Sequence, residues 1–289
     1  MSSALSEKIK QFYDASSGLW ETIWGEHMHH GYYGADGQKQ VERRQAQIDL
    51  IHELLNWTSG KLGKDVTKNL STFIDVGCGI GGSTLYLAQY CNAKGTGITL
   101  SPVQATRATE RAAEANISCE FQVADALNMP FADRSFDLVW SLESGEHMPD
   151  KQKFLQECYR VLKPGGTLIL ATWCHRPTDA ASGGALTADE AKHLADLYRV
   201  YYLPYVISLP EYAAIAHDCG FQNIHTVDWS TAVAPFWNTV IASAFSLQAI
   251  FGLLSAGWQT IQGALGLGLM SGGYQRGLIR YGVLCGTKE

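Results

Sequence analysis

The chain of 289 residues carries little charge: Lys, Arg, Asp and Glu make up 17% of it, and no block of five or more basic residues occurs. With a formal net charge of −6 it lacks the clustered positive potential that a phosphate backbone requires, which argues against a nucleic-acid partner. The seven cysteines (Cys78, Cys91, Cys119, Cys158, Cys174, Cys219 and Cys285) are odd in number, scattered and without a CxxC pair. This pattern speaks against a disulfide scaffold and a structural zinc site, and for a reducing compartment. Residues 1–14 have neither the apolar run of a secretory leader nor the arginine bias of a transit peptide, so neither is expected. From Trp229 to Gln275 there is no charged residue. Asn238, Gln248, Gln259 and Gln262 nevertheless break this stretch into apolar pieces shorter than the roughly 20 residues of a membrane span. It reads as a lid or an interfacial helix pair.

What is present is enough apolar material, 46% of the chain, for an extensive core. Helical periodicity predicts helices over 6–20 and 42–57, the second on Ile48, Ile51, Leu54 and Leu55, with a loop over 61–69. Strands and helices then alternate. Strands are predicted over 71–76, 96–100, 119–123, 136–141 and 167–172, helices over 83–89, 102–115 and 151–162, and a turn at 163–166. A helix over 210–217 and a final strand pair, 223–231 and 278–286, follow. Such alternation predicts an α/β fold with a doubly wound, mostly parallel, seven-stranded sheet. Residues 174–208 and 234–277 interrupt the repeat and are expected above the carboxyl ends of the strands, where ligands bind in such sheets.

The first strand ends in Asp75, Gly77, Gly79, Gly81 and Gly82. Glycine lets the main chain turn sharply and approach a ligand, and the helix that follows offers unpaired N–H groups. A dinucleotide site has the spacing GxGxxG; here it is GxGxGG, with an acid two residues before the first glycine. That fits S-adenosylmethionine, which has no pyrophosphate but carries an ammonium group for Asp75, with the glycine amides expected to face its amino-acid tail. After the fourth strand come Glu143, Glu146 and His147, three ionisable groups within five residues. Glu146 and His147 are expected to line the methyl-transfer site, or, more blandly, to cap the next helix. His27, His29 and His30 cluster earlier, but with a single carboxylate nearby, Glu26, they read as part of a lid and no metal is expected.

Residues 73–82, 97–104, 121–130 and 161–170 resemble, in order, the motifs of class I S-adenosylmethionine-dependent methyltransferases. The end of strand two lacks the acid that commonly holds the ribose in that class. The chain is there similar to the cyclopropane-synthase, sterol and tocopherol branch, which implies that Thr99, Leu100 and Gln104 meet the ribose and that Asp125 and Ala126 meet the adenine. The resemblance further implies one methyltransferase domain over 1–289, with lid helices in 1–60 and a cofactor-binding core over 71–172. Tyr13 and Ser141 join the cofactor set, and His30 or His147, with Glu146, serves the acceptor.

Outside this core, residues 8–14, 17–21, 24–33, 43–49, 140–148, 171–177 and 233–237 resemble the γ-tocopherol methyltransferase family. That resemblance implies methylation of a chromanol ring carbon of γ- or δ-tocopherol, a substrate with an isoprenoid tail. Phe236, Trp237, Phe245, Phe251, Leu253, Leu254 and Trp258 would suit such a tail, since each buried CH₂ is worth roughly 0.8 kcal/mol. The same surface is expected to make peripheral contact with a membrane. The location implied is cytoplasmic, or peripheral on an internal photosynthetic membrane. An amine, a quinol or another sterol-like acceptor, and a non-catalytic cofactor-binding protein, are the alternatives that the residues leave open.

Overall fold

The computed structural model describes residues 14, 21, 25–244 and 257–289, and side chains outside 241–265. The helix expected over 6–20, Tyr13, Phe245, Phe251, Leu253 and Leu254 lie outside the described residues, as does the side chain of Trp258.

Seven strands form one sheet: β1 (Thr72–Val76), β2 (Lys94–Thr99), β3 (Cys119–Val123), β4 (Phe136–Leu142), β5 (Leu162–His175), β6 (Gln222–Asp228) and β7 (Ile279–Thr287). Their order is β3-β2-β1-β4-β5-β7-β6. The first five are parallel, and β7 runs antiparallel between β5 and β6. Helices α1 (Arg43–Leu62), α2 (Gly82–Cys91), α3 (Pro102–Ala115), α4 (Lys151–Val161), α5 (Ala188–Tyr201) and α6 (Leu209–Asp218) connect and flank them. Three more, α7 (Ser230–Val233), α8 (Pro235–Ala244) and α9 (Gly257–Gln275), precede β7.

Alternation along the central strands divides the core in two. Phe73, Leu138, Trp140, Ile169, Ala171 and Trp173 pack on the face that also receives α1 and α8. Ile74, Val76, Val139, Leu168, Leu170 and Cys174 pack on the opposite face, under α4 and α6. Strands buried on both faces read as continuous apolar runs, as parallel sheets require.

Several boundaries differ from the periodicity-based ones. Helix α1 continues to Leu62, where Gly63 closes it in the left-handed conformation at φ 61°, so the expected loop starts later. The turn expected at 163–166 sits inside β5. Pairing jumps from Phe136 opposite Leu162 to Leu138 opposite Thr167, and the intervening residues bulge out. Strand β6 stops at Asp228, whose carboxylate accepts from Ser230 N at 2.8 Å and starts α7. The segment after β5 contains a full helix, α5, held at its start by a reciprocal Thr187–Glu190 cap.

The strand order reverses at β1, which has β2 on one side and β4 on the other. The carboxyl ends of these strands therefore diverge into a crevice.

Candidate active site

A cavity of about 1080 Å³, counting its open mouth, fills that crevice. Asp75, Gly77, Gly79, Thr99, Leu100, Gln104, Asp125, Ala126 and His147 line it. Gly81, Ser141, Glu146 and His30 are not among its lining residues.

Asp75 stands near the end of β1, 3% exposed, and accepts from Thr84 Oγ1 at 2.6 Å. Burial pushes its carboxyl up to about 7, against the lowering pull of the Thr84 hydroxyl. A carboxylate buried without a cationic partner among the described residues fits a ligand that brings its own positive charge.

Two of the glycine amides expected to face a ligand are engaged by the main chain. Gly77 N and Cys78 N both donate to Ile98 O at 2.9 Å, and Gly81 N donates to Cys78 O. The first two bonds bolt the turn to β2, the third closes it on itself, and Gly77, Gly79 and the first residues of α2, Gly82 and Ser83, line the cavity. Gly77 has φ 85°, and a Cβ there would lie 2.3 Å from Ser144 Cβ. The turn therefore comes against β4's end at a separation that no side chain at residue 77 allows.

At the end of β2, Thr99 Oγ1 donates to Gln104 Oε1 at 2.7 Å, while Gln104 N donates to Ser101 Oγ at 3.1 Å. Ser101 also bonds Asp14. Asp125 accepts from Leu127 N at 2.9 Å with one oxygen, the turn-capping role, and still lines the cavity. Ser141 is one step removed: it bonds Ser144 Oγ at 2.7 Å, whose proton goes to Val76 O.

The turn after β4 separates three ionisable groups that adjoin in sequence. Glu143, at φ 54°, points its carboxylate to His30. Glu146 points the other way and accepts from Thr172 Oγ1 at 2.8 Å, away from the cavity. Burial and the Glu143 charge push its carboxyl up to about 8. His147 lines the cavity, and burial holds it down at about 3, so its imidazole is neutral at physiological pH. Lys151, buried at the start of α4, donates to Gly145 O, Glu146 O and Met148 O at 2.7–3.0 Å and so staples this turn.

The three lid histidines do not converge on one point. His29 Nδ1 bonds His30 O at 2.7 Å and His29 lines the cavity. His30 lies 0% exposed among Phe236, Trp237, Tyr274, Tyr281 and Trp173, with ring centroids 5.0–6.0 Å away. Phe236 and Trp237, expected to present a surface for a tail, are thus themselves buried. Ser144 and Lys151 are the residues that sequence reasoning missed, while Glu143 and His29 were noted without a role of their own. The Glu143–Ser144 pair carried one signal, its place directly after a strand that borders the switch point.

Comparison with known proteins agrees with this arrangement. A family profile described as a methyltransferase domain matches residues 74–170. The chain is 48% identical to a probable tocopherol O-methyltransferase, chloroplastic, of Oryza sativa subsp. japonica, over 97% of this chain and 77% of that protein. It is 46% identical to the tocopherol O-methyltransferase, chloroplastic, of Arabidopsis thaliana, over 97% and 82%. Among solved structures, a putative sarcosine dimethylglycine methyltransferase from Galdieria sulphuraria superposes with a TM-score of 0.78 at 24% identity, covering 96% of this chain and 99% of that one. S-adenosylmethionine is the methyl donor, and the chain belongs to the tocopherol methyltransferase family of enzymes.

Proposed function

We propose that the enzyme methylates a ring carbon of γ- or δ-tocopherol, giving α- or β-tocopherol. The observation that carries this reading is the pairing of a donor cavity, closed at one end by Asp75, with an adjoining aromatic cluster built on the carboxyl end of β5 and the start of β7. The names of the two plant relatives support the same acceptor.

In this reading Asp75 holds the ammonium group, Gly79 and the start of α2 accommodate the carboxylate, and Gly77 and Gly81 shape the turn. Thr99, Leu100 and Gln104 meet the ribose, and Asp125 and Ala126 the adenine. Tyr13 is assigned to the donor by the family resemblance. Bound there, S-adenosylmethionine supplies an electrophilic methyl group on a positively charged sulfur. The neutral His147 walls that charge without repelling it. Ser141 fixes Ser144, and Glu146 supports the turn from behind. Residues 71–172 form the donor-binding core, 1–60 supply the lid over it, and 174–208 and 234–277 lie on the acceptor side. The protein's task is then to align the two reactants, exclude water and draw the phenolic proton, which places charge on the ortho carbons.

The enzyme acts peripherally on an internal photosynthetic membrane, where its substrate dissolves. The names of both plant relatives, which are chloroplastic, support this location. The test is incubation with methyl-labelled donor and γ-tocopherol in phosphatidylcholine vesicles. The label is expected on a ring carbon of α-tocopherol by NMR. A methoxy signal moves the reaction to oxygen, and an unlabelled tocopherol pool removes the proposal.

A further inference from the structure

Glu143 has four donors on its carboxylate. His30 N (2.7 Å) and Tyr281 Oη (2.9 Å) donate to Oε1, and His30 Nδ1 (2.8 Å) and Trp173 Nε1 (3.2 Å) reach Oε2. An oxygen pair that accepts four times must be ionised. Burial opposes that charge, but His30 and its neighbours outweigh burial and hold the carboxyl below its ordinary value. Glu143 pays for this with a left-handed backbone, φ 54°, that a non-glycine residue rarely adopts.

The carboxylate draws a proton of His30 to Nδ1, and in the neutral imidazole this leaves the lone pair on Nε2. That atom is buried and has no hydrogen-bond partner among the described residues. A buried polar atom left without a partner inside an aromatic cluster is costly unless a ligand satisfies it. Tyr274 Oη, on the ring 5.9 Å from the imidazole, is orphaned as well. The titratable groups facing His30 are Glu143 from the end of β4, Tyr281 from β7, Tyr274 from α9 and its neighbour His29. Both tyrosines are pushed far up by burial and keep their protons.

Resting on the tocopherol reading, we infer that the acceptor's phenolic ring enters this aromatic cluster, that its hydroxyl meets His30 Nε2, and that Glu143 is the positioning residue that makes His30 the base. The acceptor's O–H bond breaks, its proton goes to the Nε2 lone pair and the bonding electrons stay on oxygen. The ortho carbon takes the methyl group as the donor's carbon–sulfur bond breaks and that bond's electron pair stays on sulfur, leaving a neutral thioether. The ring's C–H proton then leaves to solvent and the imidazolium returns its proton to oxygen. One proton is released per turnover. Glu143 also lines the donor cavity, so one residue borders both reactants.

The experiment compares Glu143→Gln with wild type on γ-tocopherol and on chromanols whose phenols are made more acidic by fluorine. Donor affinity is measured by calorimetry and folding by thermal melting. The glutamine is expected to lower kcat about 100- to 10,000-fold, to leave the donor Kd within threefold, and to lose less and less as the phenol becomes more acidic. A purely structural role gives an equal deficit on every chromanol and overturns the inference, as does an unchanged kcat. Should Glu143→Gln melt out, Tyr281→Phe removes a single donor, and the same dependence on phenol acidity, at a smaller loss of kcat, is required of it. A wild-type enzyme inert on every chromanol overturns the functional reading and this inference together. A wild-type enzyme that methylates while the variants show no acidity dependence overturns this inference alone.

Discussion

Thr84 Oγ1 donates to Asp75 Oδ2 at 2.6 Å, and that hydroxyl is the carboxylate's single side-chain partner among the described residues. Without a ligand, burial leaves the carboxyl at about 7. Pairing with an ammonium group requires the ionised form, so below pH 7 a proton must first be lost. Donor affinity is therefore expected to fall by up to about tenfold per pH unit below 7 and to level off above it. Calorimetry between pH 5 and 9 checks this, and a flat profile refutes it.

The same carboxyl affects stability. An unfolded Asp titrates near 3.9. Between there and about 7 the folded state binds a proton that the unfolded state has released, so this contribution is lost as pH rises. Asp75→Asn is expected to melt a few degrees higher than wild type at pH 8, with a smaller gain at pH 5, while donor binding collapses. A lower melting point at both pH values would show that Asp75 is ionised and partnered in the free enzyme.

Gly77 and Ser144 form a second testable pair. Gly77→Ala introduces a Cβ 2.3 Å from Ser144 Cβ at a φ of 85°. A loss of at least about 2 kcal/mol is expected from the clash and the left-handed strain together. Adding Ser144→Gly should recover the clash but not the strain. Urea unfolding of the double variant checks this; strict additivity would mean that the two residues do not meet.

Glu146 offers a contrast with Glu143. Its carboxyl, pushed up to about 8, is neutral at pH 7 and accepts from Thr172. Glu146→Gln keeps that acceptor and should hold kcat within about threefold, whereas Glu146→Ala should cost about 2–4 kcal/mol through the void and the orphaned hydroxyl. A hundredfold loss of kcat in the glutamine variant would return Glu146 to the chemistry.

Lys151→Met removes the donor shared by three carbonyls of the Gly145–Met148 turn. A destabilisation of about 3 kcal/mol or more is expected, since each buried carbonyl left unpaired is costly. Donor affinity should weaken too, because His147, Met148 and Pro149 line the cavity on the same turn. Wild-type affinity in a folded variant would show that the turn holds itself.

The glycine turn, the alternation of strands and helices and the acid at residue 75 were legible because each is local: spacing along the chain maps directly onto one turn or one face. The bulge in β5 was hidden, since residues 163–166 read as a connecting turn until β4 is laid beside them. The adjacent histidines were harder still. Nothing in the order His29, His30 tells which ring reaches the donor cavity and which turns to Glu143, 113 residues away.

Residue order alone established the strand–helix alternation, the glycine turn after β1 and the family, because backbone preference and short-range spacing carry all three. Assignment of the charged groups after β4 came only with packing. A left-handed Glu143, a Glu146 turned toward Thr172 and a Lys151 threaded beneath them send neighbouring side chains in opposite directions. Which of them is charged depends on burial and on distant partners, and these exist only once β4, β5, β7 and the lid segment have met.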